Sequence, residues 1–318
     1  MKKLLKILAI ILGVIVLVVI VFLLYVNFSK IPSYQNEAPD IVVMMDSVHI
    51  AEGARIASMM CLQCHGSKDG KLGGGYMADA GEFGEVYAPN ITQHPEFGIT
   101  DYTEGEILYL LRTGIKKDGQ YAPPWMPKYP YMSDEDIQSI IAFLRSDHPL
   151  VQPSDHNPPT IKPSFFAKFL LAIGTFKPLP FPEKRIEPPD TSDKIVYGRY
   201  LSTAKFECFG CHSAAFKTVN VMKPELSEGY FGGGNRLYDK ELNLILSSNL
   251  TMDKETGLGT WDEAGFMRTV KYGIRPDGTP LRYPMVPYPG LTDEEVSAIW
   301  AYLQTIPEIH NPNDVLIE

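Results

Sequence analysis

The apolar positions of the chain begin as one unbroken block. Ile7 to Val26 are twenty consecutive uncharged residues, apolar apart from Gly13 and Tyr25. At about 1.5 Å per residue, such a helix crosses a hydrocarbon core of roughly 30 Å. Lys2, Lys3 and Lys6 precede the block, and Asn27 and Ser29 begin its polar C-terminal flank. The positive-inside rule then keeps the N-terminus cytoplasmic and exports everything from about Lys30 onward. A cleaved signal peptide is the competing reading. Against it, the block exceeds the usual ~7–15 residues, and neither an Ala-x-Ala site nor a lipid-bearing cysteine comes after it. The expectation is an uncleaved single-pass anchor at residues 1–30, in the cytoplasmic membrane, with the remainder on the periplasmic side.

Beyond the block, apolar positions fall at helical spacing, and they do so twice. Ile137, Ile140, Ile141 and Leu144 make an i, i+3, i+4, i+7 stripe, and Val296, Ile299, Trp300 and Leu303 repeat it 159 residues later. The same offset carries Gly73-Gly74-Gly75 onto Gly232-Gly233-Gly234, Asn90-Ile91-Thr92 onto Asn249-Leu250-Thr251, and Tyr129-Pro130 onto Tyr288-Pro289. One frame holding across so many positions marks a duplication. Upstream, Cys61-Leu62-Gln63-Cys64-His65 matches Cys208-Phe209-Gly210-Cys211-His212 at an offset of 147, so twelve extra residues lie between His212 and the second glycine triplet.

Each repeat predicts three helices joined by long loops. The first covers about Ala51–Met60 and Ile195–Phe206, and the second about Thr103–Thr113 and Asp262–Tyr272. Gly114 and Gly273 come directly after the second as C-caps. The third begins at Ser133 or Thr292, where Thr292 and Glu295 have capping-box spacing. No comparable period-two run marks a sheet. The stretch from Pro149 to Pro189 holds ten prolines and reads as an ordered or semi-rigid strap. Its apolar island, Phe165 to Leu171, is too short to span a bilayer. The preferred reading is a cover over the crevice between the two domains; the alternatives are a membrane surface or a partner.

Charge and cysteine use narrow the function. The chain has 318 residues and a net charge of −9, and past residue 30 it holds 25 basic against 38 acidic residues. That balance argues against nucleic acid and favours a basic-faced partner whose association weakens with salt. All four cysteines lie in the two Cys-x-x-Cys-His motifs. This pattern reads as c-type haem attachment: two thiols one turn apart add across the porphyrin vinyl groups, and the next histidine falls beneath the ring as proximal ligand. A thioredoxin-like pair would need a βαβ context, a zinc site would leave both histidines unexplained, and such closely spaced pairs make poor disulfide staples.

The duplication also selects the sixth ligand. Downstream of the motifs, Met126 and Met285 are the only methionines related by the 159 frame, each in a Pro-rich loop before the last helix. Met132 faces Leu291, Met77 faces Arg236, Met252 faces Gln93 and Met267 faces Leu108; His94 faces Asp253. Met126 and Met285 are therefore the expected axial ligands, with Met132 in reserve and packing methionines as the bland alternative.

With these residues in place, the sequence resembles the bacterial class I cytochromes c. It is most similar to the cytochrome c subunits of membrane-bound alcohol, aldehyde and nicotinate-type dehydrogenases. The second repeat carries the specific wording: Ser248-Asn249-Leu250-Thr251, Thr256-Gly257-Leu258-Gly259-Thr260-Trp261, Asp277-Gly278, Pro284-Met285 and Leu291-Thr292-Asp293-Glu294-Glu295. The first repeat is looser, with Tyr102 where Trp261 stands. Such subunits often carry three haems, and this chain has two attachment motifs.

The resemblance implies an all-α chain of two tandem haem domains, 45–148 and 191–310, after the transmembrane helix and around a 149–190 linker. It implies two covalent haem c groups on Cys61, Cys64, Cys208 and Cys211, with iron bound by His65 and Met126, and by His212 and Met285. The expected role is electron transfer with no catalytic residues of its own, between a dehydrogenase catalytic subunit or quinol system and an oxidase or soluble carrier. A dihaem enzyme acting on a peroxide or thiosulfate is the rival, and a redox sensor a weaker one.

Overall fold

Helix starts along the chain carry side chains able to close the first turn, and the computed structural model uses them. It describes residues 2–122, 125–239, 241 and 243–312. The helices are α1 (Lys2–Phe28), α2 (Ser47–Met60), α3 (Leu62–His65), α4 (Glu104–Thr113), α5 (Asp134–Leu144), α6 (Phe165–Ala172), α7 (Lys194–Tyr200), α8 (Cys208–His212), α9 (Glu263–Tyr272) and α10 (Asp293–Leu303). Asp46, Thr103, Ser133, Asp262 and Thr292 accept backbone N–H groups as N-caps. The capping box at Thr292–Glu295 forms, and so does one at Thr103–Glu106. Gly114 and Gly273 end α4 and α9 in the left-handed conformation, at φ 83° and 75°.

α1 is a 27-residue helix with mean hydropathy 3.7 across its most apolar window, in which no residue is buried. After it, the two halves repeat one plan. α2 crosses α5 in the first half, and α7 crosses α10 in the second. Each crossing needs a glycine. A Cβ on Gly53 would lie 1.8 Å from the Ser139 carbonyl oxygen, and one on Gly198 would lie 1.9 Å from that of Ala298. Ser139 and Ala298 are related by the 159-residue frame, so the two crossings are the same contact.

The glycines also locate the insertions. Gly53 stands eight residues before Cys61 and Gly198 ten before Cys208. The extra residues are absorbed where α7 loosens into a π-helical turn over Leu201–Lys205 and Glu207 takes a left-handed φ of 48°. The twelve residues inserted further on form loops with short 3₁₀ turns at Phe216–Thr218 and Pro224–Leu226.

Among the described residues, three antiparallel ladders accompany the helices. β1 (Gly75–Tyr76) pairs with β3 (Tyr87–Ala88), β2 (Gly84–Glu85) with β4 (Lys162–Pro163), and β5 (Arg236–Tyr238) with β6 (Leu244–Leu246). The fold is thus helix-rich with minor strand pairing.

Each half has its own apolar core. Ile137, Ile140, Ile141 and Leu144 pack with Ile56 and Leu111 in the first, and Val296, Ile299, Trp300 and Leu303 pack with Leu201 and Phe266 in the second. Met59, from α2, is buried in the second core and ties the halves together. Around it runs a charged seam. Arg55 forks onto Glu295, with Nη1–Oε2 at 2.6 Å and Nη2–Oε1 at 2.8 Å, and also reaches Glu52 at 2.8 Å. Lys205 donates to Glu52 and Asp136, both at 2.9 Å. The Tyr200 hydroxyl donates to Asp136 and accepts from the Ser133 N–H at 2.9 Å.

The Pro-rich segment corrects one expectation. Its apolar island is α6, and α6 does not cover the crevice between the halves. It packs on the 3₁₀ turn Ala78–Phe83 of the first half and against the C-terminal end of α1. The β2–β4 ladder and the Ser164 N–H, which donates to the Phe83 carbonyl at 2.8 Å, hold it there. The crevice is closed instead by Met59 and the polar seam around it.

Candidate functional site

In each half, a first helix delivers a Cys-x-x-Cys-His turn. Cys61 ends α2 and caps α3, which contains Cys64 and His65; α8 contains Cys208, Cys211 and His212. None of the four cysteines is in a disulfide. Burial pushes Cys61 and Cys208 up to about 12. Redox-active thiols have the opposite shift, toward the thiolate, so these pairs lack the electrostatics of a thiol–disulfide centre. Nor do they converge on a common ion: among the described residues, no group of three or more His, Cys, Asp or Glu is placed to hold a metal.

The histidines are oriented by backbone. His65 Nδ1 lies 2.8 Å from the Pro89 carbonyl oxygen, and His212 Nδ1 lies 2.8 Å from that of Ser248. A carbonyl only accepts, so Nδ1 carries the proton and Nε2 keeps its lone pair. Burial draws both rings below the ordinary imidazole range, against the opposing pull of the carbonyl acceptors. Each ring is therefore held neutral, with Nε2 free to bind a metal, the arrangement in which ligating histidines are normally fixed.

The duplicated motifs supply the carbonyls. Pro89 and Ser248 immediately precede Asn90 and Asn249, whose Oδ1 atoms accept from the N–H groups of Thr92 and Thr251 at 2.9 Å. Both asparagines are buried, and their amides anchor to the Ser154 carbonyl at 2.8 Å and the Ile309 carbonyl at 2.6 Å. The glycine triplets close the other side: Gly74 N–H donates to the His65 carbonyl at 2.7 Å and Gly233 N–H to that of His212 at 2.9 Å. A Cβ on Gly74 would lie 2.2 Å from the Ala88 carbonyl oxygen, so the chain passes there only without a side chain. These motifs are therefore the frame of the histidines rather than ligands themselves.

Met126 is partly buried against the cluster that includes Cys61 and Leu62, and Met285 is half-buried in its loop. Met132 is fully buried in the core of the first half, as Leu291 is buried in the second, so it takes a packing position.

The two sites adjoin one another. Gln63, between the first pair of cysteines, donates Nε2–H to the Pro284 carbonyl at 3.3 Å, one residue before Met285. Reciprocally, Glu207, one residue before Cys208, interacts with Lys128, two residues after Met126. Burial raises the Glu207 carboxyl and lowers the Lys128 ammonium, and each partly restores the other's charge. Tyr129 is buried within the electrostatic reach of Cys61, Cys64 and Tyr288, and Tyr288 within that of Cys208 and Cys211. Sequence reasoning missed the carbonyl acceptors and this reciprocal contact. Only the repeated Tyr129-Pro130 and Tyr288-Pro289 pairs hinted at the latter.

Set beside known proteins, residues 50–147 match the Cytochrome c family model, which covers most of α2 through α5. The chain is 28% identical over 275 residues to the cytochrome c subunit of a quinone alcohol dehydrogenase from Gluconacetobacter polyoxogenes, covering 83% of this chain and 57% of that one. It is 29% identical over 261 residues to the gluconate 2-dehydrogenase cytochrome c subunit of Pantoea cypripedii, covering 77% of this chain and 56% of that one. A "diheme cytochrome c-type" protein of Cereibacter sphaeroides is 24% identical, with 78% of this chain and 82% of that one covered. The chain thus spans a little over half the length of the dehydrogenase subunits it matches. The likeness to the Cytochrome c family thus lies in residues 50–147, and the chain's relatives include cytochrome c subunits of dehydrogenases.

Proposed function

We propose that the chain is a membrane-anchored dihaem c-type cytochrome that transfers electrons between a donor dehydrogenase or quinol system and a downstream acceptor. α1 (within residues 1–30) is the anchor, residues 45–148 and 191–310 are the two haem domains, and 149–190 link them on the periplasmic side. The observation that carries this reading is the doubled site: two Cys-x-x-Cys-His turns, each with its histidine Nδ1 bound to the carbonyl that the same Asn-x-Thr turn presents.

The residues fit a covalent haem in each half. Cys61 and Cys64, and Cys208 and Cys211, are thiols one turn apart, suited to thioether formation. His65 and His212 would bind the iron through Nε2, and Met126 and Met285 would complete its coordination. Such a group supplies reversible one-electron chemistry at a potential that an axial methionine raises. The chain's own contribution is positional. The carbonyls of Pro89 and Ser248 hold the histidines in one tautomer. The reciprocal Gln63–Pro284 and Glu207–Lys128 contacts keep the two sites side by side, which favours transfer within the molecule.

The relatives are named as cytochrome c subunits of dehydrogenases, and the partner proposed here is accordingly a dehydrogenase chain. The test is purification of the tagged chain from its host in mild detergent, followed by electron-transfer assays with the recovered complex. A stoichiometric dehydrogenase chain that reduces the bound cytochrome is the expected result. CO binding to the reduced protein, or peroxide turnover by the chain alone, would instead indicate an open coordination position and overturn the carrier role.

A further inference from the structure

The segment from Thr160 to Ile186 is basic on an otherwise acidic chain. It holds Lys162, Lys168, Lys177, Lys184 and Arg185 against Glu183 alone, whereas the protein as a whole has a net charge of −9. Within it, α6 buries Ala167 and Leu171 and leaves Phe165 and Phe166 exposed, at 44% and 48%, with Ile173 at its C-cap exposed at 51%. Three bulky apolar side chains facing solvent on so short a helix call for a cover.

The position of α6 states what the cover is. The Phe169 ring meets the Phe22 ring of α1 edge-on, with centroids 6.1 Å apart. Lys168 Nζ donates to the Asn27 carbonyl at 2.7 Å. Phe22 lies four residues inside the end of the apolar run at Val26, about 6 Å along the helix axis. An interfacial helix buries its apolar face about 5–10 Å into the boundary between headgroups and acyl chains. α6 is thus held at that depth by α1 itself, with the Lys168 ammonium at the level where the span ends, as a snorkelling lysine would be.

We propose that α6 is a membrane-surface helix: Phe165, Phe166 and Ile173 insert into the outer leaflet, and the flanking Lys177 and Lys184 engage anionic lipid headgroups. The inference rests on α1 remaining as the anchor. It adds an orientation to that reading. The Phe83 ring lies between Phe166, at 6.1 Å, and Trp125, at 5.4 Å, so α6 is joined to the loop that carries Met126. The first-half site is thereby fixed toward the bilayer, and the molecule is seated on the membrane rather than swinging on a tether.

The test uses the full-length holoprotein in vesicles of phosphatidylethanolamine and phosphatidylglycerol. Single nitroxide labels are placed at Phe165→Cys, Ile173→Cys, Ile15→Cys and the exposed loop control Ser192→Cys, and collisions with oxygen and with a water-soluble nickel chelate are compared. At 165 and 173 the oxygen-to-nickel collision ratio should be several-fold above that at 192 and approach that at 15. It should fall when phosphatidylcholine replaces phosphatidylglycerol. A lipid-like ratio at 15 with water-like ratios at 165 and 173 overturns the surface helix and leaves the anchor standing. A water-like ratio at 15 overturns the anchor and the surface helix together. Shielding of 165 and 173 from both reagents only when a partner chain is bound would assign the face to protein and overturn the lipid assignment.

Discussion

A histidine ring binds through one nitrogen only if the other is held. At His65 and His212 a backbone carbonyl holds Nδ1, and that carbonyl is fixed by a buried asparagine one residue further on. The cysteines and histidines stand out in the sequence because the Cys-x-x-Cys-His spacing is a local signature. The carbonyls of Pro89 and Ser248 were not, because a backbone acceptor carries no residue-type signal. The methionines are the residues whose role is most open to measurement. Met126→His and Met285→His should each lower one of two midpoint potentials, on the order of 0.1–0.2 V within the ~0.8 V that axial ligands command. A potentiometric titration reads this directly. If either substitution leaves both potentials unchanged, that methionine is a packing residue.

At the scale of elements, helix faces and caps were legible and short or strained pieces were not. The stripe Ile137, Ile140, Ile141 and Leu144 and its copy are buried as the spacing predicts. Ladders of two or three residues fall below the length at which a period of two can show, so β1 to β6 left no pattern. The π-helical turn at Leu201–Lys205 left no sequence signal and shows only once the crossing glycines, Gly53 and Gly198, are matched. The glycines at the helix crossings carry a direct prediction. Gly53→Ala or Gly198→Ala forces a methyl group into a carbonyl oxygen less than 2 Å away. Overpacking of this kind costs about 1–3 kcal/mol. Chemical denaturation should show each variant losing stability in that range, whereas Gly13→Ala, where nothing lies within 4 Å, should be near neutral.

For the whole molecule, the charged seam is what sequence reading could not supply. Arg55 and Glu295 are 240 residues apart, and on its own helix each reads as part of a solvated face. Burial works against the charge on Glu52, but Arg55 and Lys205 outweigh it and bring the carboxyl down from 4.5 to about 2. A carboxyl with a depressed folded pKa stabilises the fold fully above its unfolded value. That contribution fades as pH falls from about 4.5 toward 2. Glu52→Gln should therefore cost about 1–2 kcal/mol at neutral pH and flatten the fall of the melting temperature across that acidic window. A variant that melts like the parent at every pH would show that the seam does not hold the halves together.

The proposed electron-transfer role, the pairing of the two sites and the assignment of the methionines all rest on covalent haem at both Cys-x-x-Cys-His turns. Intact-mass measurement of the denatured full-length protein reads it in one step. The parent chain should carry two covalent haems, and the Cys208→Ser/Cys211→Ser and Cys61→Ser/Cys64→Ser variants one each. A parent chain with a single haem, or with none, would contradict it.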